Sequence, residues 1–542
     1  MVETQVGMGV PFEGAEVFNR QLASWNPPQR SADADLLPHK YVIDARTLDS
    51  ARNDSYIDGA IDFHKDNIIG TSYNLVAKPN YKVLGRTEEW AEAFAEEVES
   101  KFQLWAESRR NWVDASGHNN FSKLLRLAIA QYLIHGEIIA TVEYKRRGLS
   151  RPYGTCIQMI DPARLSNPPG MIVNKYAVGG IEKNKYGEAV AYHIRRDHPA
   201  EIGSTQRNAL DYTRIPAKKE WGRPMVLHVF EQERVDQSRG VTNMVSILKE
   251  LNVTKKFREI VLQNAVVQAT YAAVVETEVP VGEEIYTALG AGKKSKASEN
   301  SYSEVSNQIY GSYLAGVAEW VKANPNAHRI NGTQVPVMFP GTKLKMLSPT
   351  QGGPLGTQFE ASLLRYIAAS LGISYEQLSK DYSNTNYSSA RASMNETWKS
   401  LQAKKAFIVD YLASEIYALW LEEAIQSNQI ETLPASEMSL SDFYSGLTRE
   451  ALTAGWFIGA GRGQVEELKE TQAAQLRLLS GVSTLQKECQ ALGLDYREVI
   501  RQQSREQKMR EAAGLLPDVQ ESDMMNSVKG KAGQVAAPEP KK

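Results

Sequence analysis

The sequence predicts a mixed α+β fold that is rich in helix. Three observations carry that expectation. Apolar residues recur every three to four positions over 87–135 and again over 357–427. Short β-rich runs crowd 137–230. The composition, 42% hydrophobic and 23% charged, is that of an ordinary globular protein able to bury a sizeable core. The chain has 542 residues, which allows three or four units of roughly 150 residues each.

Residues 1–30 are rich in Gly, Pro and polar residues, end in WNPP, and are expected to form an arm with little structure of its own. The spacing of Leu48, Ile57, Ile61, Phe63 and Ile68 predicts one helix from Arg46 to Ile69, stopped by Gly70. Trp90, Phe94, Val98, Phe102 and Trp105 predict a second helix over 87–107. Phe121, Leu124, Leu125, Ala128, Ile129 and Tyr132 predict a third over 119–135. The runs EIIATVEYK, TCIQMI, AVAYHIRR and PMVLHVF, separated by Gly, Pro and Asn clusters, then predict a strand-rich layer.

Helical spacing returns over 241–267 through Met244, Ile247, Leu248, Leu251, Phe257, Ile260 and Val261, a stripe of the kind that packs on a neighbour. A basic loop containing Lys293, Lys294 and Lys296 follows, and a helix is expected over 302–323. VPVMF and KLKML read as short strands leading into SPTQGGPLG (348–356), where Gly and Pro call for a sharp turn or a flexible loop. Thr357 and Glu360 suit a capping box for a helix ending at Gly372. A long helix is expected over about 388–427, and an all-helical region over 436–514. The stretch after Pro517 is polar and expected to be disordered.

Formal charge is −2, from 62 basic and 64 acidic residues. That balance argues against tight non-specific gripping of nucleic acid by the chain as a whole. Cys156 and Cys489 are the only cysteines, so a disulfide framework is not expected and a reducing compartment fits. The opening MVETQVGMGVPFEG lacks the basic-then-apolar pattern of a signal peptide. The most apolar segment, residues 264–275, is too short and too polar to span a bilayer, so no membrane association is expected.

Motifs for chemistry are incomplete. GAGKKSK (290–296) resembles a phosphate loop, but Thr287 stands where its first Gly belongs and Lys294 where Ser or Thr is needed. GWFIGAGRG (455–463) follows no predicted strand and reads as a turn between helices. The eight histidines form no zinc spacing, and His228 in VLHVF reads as a buried strand residue. No GxSxG elbow occurs. No catalytic residue, cofactor or metal site is therefore predicted. In FEASLLRYIAASLGISYEQLSKDYSNTNYSSARASMNETW (359–398), Ser and Asn suit helix caps and turns. Tyr375, Tyr382 and Tyr387, with Arg391 beside them, suit a joint between helices or between subunits.

Several ordered blocks resemble one family. RNDSYIDGAIDFHKDNIIGT (52–71), VLHVFEQERVDQSRGVTNM (226–244), SLLRYIAASLGISYEQLSKDYSNTNYSSARAS (362–393), WLEEAI (420–425) and STLQKECQALGLDYREVIRQQ (483–503) are similar to portal proteins of lambda-type tailed phages. The match, with SWNPP near the start, runs from about residue 24 to 515.

The resemblance implies a homo-oligomeric ring, usually of twelve subunits, at one capsid vertex. Such a ring seeds head assembly, receives the DNA-packaging motor with its terminase large subunit, passes double-stranded DNA, and later holds head–tail joining proteins. Major capsid and scaffold proteins are further partners that it implies. The protein would reside in the virion, after assembly in the host cytoplasm. It also implies a layout of wing, stem, clip and crown. Mapped by position, the arm is 1–30, the wing 31–240 and 324–430, and the stem helices 241–267 and 302–323. The clip is 268–301, with the strand-rich stretch 179–223 as its rival; the crown is 431–516 and the tail 517–542. The channel loop would be 348–356, with Thr350, Gln351, Gly352 and Gly353 at its centre, and Lys293, Lys294 and Lys296 would lie in the clip. Two other readings stay open: a nucleic-acid-processing packaging enzyme, resting on GAGKKSK, and an adaptor that forms no ring.

Overall fold

The computed structural model describes Leu22 and residues 24–169, 176–201, 211–271, 355–383, 385–464 and 466–515, with isolated positions between 315 and 334. The greater part of the expected arm, the basic loop with Lys293, Lys294 and Lys296, most of the 302–323 helix, VPVMF, KLKML, Thr350 to Gly353 and the tail from 517 lie outside the described residues. The chain divides into two units, Met1–Leu248 with Tyr366–Lys542, and Lys249–Arg365.

In the larger unit, helix α1 (Ala32–Asn53) starts at Ser31, whose hydroxyl accepts from the Ala34 amide. Helix α2 (Ser55–Ile68) starts at Asp54, whose carboxylate accepts from Tyr56. The single helix expected from Arg46 to Ile69 is thus two. The run Asn53-Asp54-Ser55 competes for backbone hydrogen bonds, and Asp54 turns extended (φ −121°, ψ 112°) to cap the second helix. Gly70 ends α2 at φ +73°, as expected. Strand β1 (Asn74–Ala77) follows, then α3 (Glu88–Ala106) and α4 (Phe121–His135), which bury the apolar faces predicted for them.

Two antiparallel sheets succeed them. Strands β2 (Glu137–Tyr144), β3 (Thr155–Ile160) and, later in the chain, β8 (Val226–Phe230) pair in the order β3-β2-β8. Between β3 and β8, strands β4 (Ala177–Val178), β5 (Ile181–Lys183), β6 (Ala189–Arg195) and β7 (Tyr212–Pro216) pair in sequence order. Ile139 and Ile160 from the first sheet and Ile181, Tyr192 and Ile194 from the second share one buried cluster. This is the strand-rich layer that the sequence predicts.

The described part of the smaller unit holds most of α5 (Leu248–Tyr271), the two-residue strands β9 (Arg329–Ile330) and β10 (Thr333–Gln334), and the first turns of α6 (Leu355–Leu371). Arg258 donates to Glu360 at 3.0 Å, and Phe257 meets Phe359 edge to face. Helix α6 starts at Leu355, two residues before the expected cap, so Glu360 serves Arg258 instead of a capping box. The stripe expected over 241–267 is buried at Met244, Ile247 and Leu251 but leaves Ile260 and Val261 exposed.

Back in the larger unit, the short helix α7 (Tyr375–Ser379) precedes α8 (Tyr387–Lys404). One π-turn (Lys405–Val409) joins α8 to α9 (Asp410–Gln426), so the long helix expected over 388–427 is continuous but locally wider. Phe102 packs edge to face on Phe121, Tyr417 and Trp420 with ring centroids 5.3–5.4 Å apart, which joins α3, α4 and α9.

The C-terminal region is not all-helical. Between the short helices α10 (Leu440–Phe443) and α11 (Thr448–Leu452) and the longer α12 (Glu467–Leu479), α13 (Leu485–Ala491) and α14 (Tyr496–Ala512), strand β11 (Gly455–Ile458) pairs with β1. GWFIGAGRG therefore begins as a strand, not as a turn between helices. Its glycines permit close approach: a Cβ on Gly455 would sit 2.5 Å from the Val76 carbonyl, and one on Gly459 2.4 Å from that of Ile68.

Candidate assembly joint

The polar segment after α6 is built from local caps. Gly372 leaves the helix at φ +70°, and a Cβ there would meet Ser400 Oγ at 2.8 Å. Ser374 and Gln377 form a reciprocal capping box that starts α7. Lys380, also left-handed, ends α7, and the Asn386 side chain accepts from the Ser389 amide to start α8. Thr397 ties α8 back by donating to Gln377 at 2.8 Å. Ser374 and Asn386 do the capping work predicted for the Ser and Asn residues of this segment.

Of the predicted joint residues, Tyr375 opens α7 and is half-buried, whereas Tyr382 lies exposed in the loop. Tyr387 opens α8, and Arg391, one turn further, reaches within 3.9 Å of Glu470 on α12. Tyr375, Tyr382, Tyr387 and Arg391 thus fall on α7, the loop after it and the first turns of α8.

Three ion networks lie in the larger unit, and the first ties the end of α8 to α2 and to the end of α6. Lys404, at the end of α8, donates to the Leu371 carbonyl at 3.0 Å and lies 3.0 Å from His64 Nε2. His64 Nδ1 lies 2.7 Å from the Ala60 carbonyl, so that nitrogen donates and Nε2 accepts from the ammonium. Burial first, and the Lys404 charge second, lower the His64 pKa to about 4. Burial likewise lowers Lys404 to about 8. In the π-turn, Lys405 reaches both Asp410 oxygens at 2.9 Å and the Phe457 carbonyl at 2.9 Å, and Tyr73 also donates to Asp410.

The third network is the deepest. Glu137, fully buried at the start of β2, accepts from Arg239 (2.7 and 3.0 Å) and from the Gly240 amide (3.0 Å). Lys40 lies 3.3 Å away and His228 3.0 Å away. Burial alone would raise the Glu137 pKa, but Arg239, Lys40 and His228 hold it well below the usual carboxylate range. The remaining Arg239 donors reach the carbonyls of Pro162, Leu165 and Gly179. Gly136 and Gly240 allow the contact, since a Cβ on Gly240 would lie 2.1 Å from the Gly136 carbonyl oxygen. On α9, Glu423 accepts from the Gly154 and Thr155 amides at 2.7 and 2.8 Å, and Glu422 accepts from Tyr444 at 2.7 Å.

Sequence reasoning reads His228 as a buried strand residue, which it is, but gives no sign of Glu137, Lys40 or Lys404. Arg239, Glu422 and Glu423 had one available signal, their position inside the blocks 226–244 and 420–425. Among the described residues no group of His, Cys, Asp and Glu is arranged to hold a metal ion, and no helix is long and apolar enough to cross a membrane.

The fold is helix-rich α+β, and its buried charges tie one element to another. The family model of lambda-family phage portal proteins matches residues 18–405. The portal protein of Escherichia phage N15 is 35% identical over 504 residues, which cover 93% of this chain and 91% of its own length. Portal protein B of Escherichia phage lambda is 34% identical over 505 residues, covering 93% and 90%. The chain belongs to the lambda family of phage portal proteins, which are structural proteins. Among solved structures, a chain from the neck of a native gene transfer agent particle, computed with C12 symmetry, is 12% identical. It covers 70% of this chain and 86% of its own, with a TM-score of 0.35, a likeness too loose to carry the fold.

Proposed function

We propose that this chain closes with copies of itself, usually twelve, into the ring at one capsid vertex through which double-stranded DNA is packaged and ejected. The ring nucleates head assembly with the major capsid and scaffold proteins. It docks the terminase large subunit and later the head–tail joining proteins, and the chain itself makes and breaks no bond. It assembles in the host cytoplasm and ends in the virion. The observation that carries this reading is identity of about a third to named portal proteins along 93% of the chain.

Closed rings repeat one heterologous contact, so each subunit needs two different complementary faces. The surface with Tyr375, Tyr382, Tyr387 and Arg391 supplies one of them. The smaller unit, Lys249–Arg365, contains most of the segments assigned to stem and clip, as well as the loop 348–356. In this reading Thr350, Gln351, Gly352 and Gly353 face the duplex, and Lys293, Lys294 and Lys296 lie in the clip.

Electron microscopy of the purified protein is expected to show rings with a central hole; a monodisperse monomer at high concentration would overturn the reading. Deleting Gln351 to Gly353 is expected to leave rings intact and impair DNA filling, and unchanged packaging would remove the loop from the channel. ATP hydrolysis that vanished in Lys293→Ala would overturn the non-enzymatic part.

A further inference from the structure

Helix α14 is fixed to the body at its root. In the turn before it, the Arg462 amide donates to the Ala491 carbonyl at 2.8 Å, and a Cβ on Gly493 would sit 2.7 Å from the Gly461 nitrogen. Asp495 caps the helix by accepting from the Arg497 amide at 3.0 Å. Beyond that root the shaft is bare. No residue of α14 is buried, and every position from Ile500 to Ala512 is exposed. Apolar burial therefore contributes little to holding it.

Charge ties the first turns of the shaft to α3. Arg497 lies 3.5 Å from Glu99, and Arg501 lies 3.2 Å from Glu96. Glu99 is itself positioned by accepting from the Ala77 amide at 2.8 Å. A step forward on α14 thus matches a step back on α3, so the two helices meet antiparallel. Continuing that register sets Arg505 opposite Glu92 and Lys508 opposite Glu89. At about 100° per residue, Arg497, Arg501, Arg505 and Lys508 share one face of α14 within about 80°. Glu89, Glu92, Glu96 and Glu99 share a face of α3 of about the same width.

The two outer pairs of that register are not made. Arg505, Lys508, Glu89 and Glu92 are exposed and stand in no ion pair among the described residues. Rival partners are engaged elsewhere. Beside the acidic row, Arg86 pairs with Glu437 and Lys101 with Glu97. On the far side of α14, Gln502 donates to Glu506 at 2.9 Å.

We propose that α14 is a hinged strap that closes along the acidic row of α3 by completing this register. A tilt about Asp495 brings the outer half of the helix down while the root stays in place. Exposed ion pairs are individually weak, so two of them hold the strap loosely, whereas four in line act as a network. Closure covers the acidic row, and opening presents both rows of charge. Salt sets the balance, because the screening length falls from about 10 Å at 0.1 M to about 3 Å at 1 M. The proposal does not rest on ring closure, because it is read on the single chain.

The test is cross-linking of the full chain carrying Ala93→Cys and Ser504→Cys, two exposed positions that oppose each other in the closed register. A short bismaleimide joins the engineered thiols, and peptide mass spectrometry identifies the link. Cys156 and Cys489 are buried, and the chain without the two substitutions is the control. Circular dichroism checks that each variant folds. The linked fraction is expected to fall about threefold or more between about 0.1 M and about 1 M NaCl. Adding Glu92→Lys is expected to lower it at low salt, and adding Arg505→Glu to that variant to restore it. No link at low salt, or a yield that ignores both salt and charge reversal, would overturn the strap. So would a product of twice the chain mass in place of the internal link, which would give the acidic row to the helix of a second copy. Failure here leaves the ring reading standing, because rings are scored separately by microscopy.

Discussion

Glu137 shows what single residues do in this chain. Its carboxylate lies between Arg239, Lys40 and His228, with no water-facing side to relax into. Removing it by Glu137→Ala strands the buried Arg239 guanidinium, whereas Lys40 keeps Asp44 at 2.9 Å. The expected cost is about 3–5 kcal/mol, read as a lowered urea midpoint of the unassembled chain. His64 gives a pH signature. The unfolded imidazole takes its proton near 6.5, the folded one only near 4. Between those values the unfolded state binds more protons, so this residue lowers stability as pH falls from 6.5 to 4 and adds nothing further below that. Urea midpoints at pH 7 and pH 5 are expected to lie closer together in His64→Gln than in the wild type. An unchanged gap would mean that other groups set the acid response.

At the scale of elements, α3 and α4 were legible because Phe94, Val98 and Phe102, or Leu124, Leu125 and Ala128, face one core at helical spacing. The break at Asp54 was harder to see, since apolar spacing runs across it and only the cap chemistry of Asn53-Asp54-Ser55 marks it. Strand β11 was hidden by its glycines, which read as a turn although their role is to let β1 and the end of α2 approach. The buried ion networks were not legible, because a charged residue carries no sequence mark of burial, and partners such as Glu137 and Arg239 stand about a hundred positions apart. The π-turn at Lys405–Val409 sets the rotation of α9 relative to α8. Deleting Ala406 is expected to close this turn to regular helix, because the wide turn holds one extra residue, and to keep α9 in register. Tyr417 and Trp420 are then expected to stay in the aromatic core, with a native-like near-ultraviolet circular dichroism spectrum. A collapsed spectrum would show that the wide turn itself is needed.

For the whole molecule, folding and assembly should be separable at the joint. Tyr382 is 52% exposed in the single chain, so Tyr382→Ala is expected to leave the unfolding midpoint unchanged within about 0.5 kcal/mol. Fewer closed rings are expected at equal protein concentration, counted by microscopy or mass photometry. Tyr387→Ala is expected to act in the same direction. Equal loss of folding and of rings in these variants would make the tyrosines plain core.

Pairing of Asn74–Ala77 with Gly455–Ile458 also has a consequence for biosynthesis. The earlier strand leaves the ribosome about 380 residues before its mate exists, which at ordinary elongation rates is a wait of roughly 20–80 seconds. Throughout that interval it is a bare ribbon open to unwanted pairing. A polypeptide broken off before Gly455 keeps that ribbon unmatched for good, so prematurely terminated copies carry a mark that a finished one has erased.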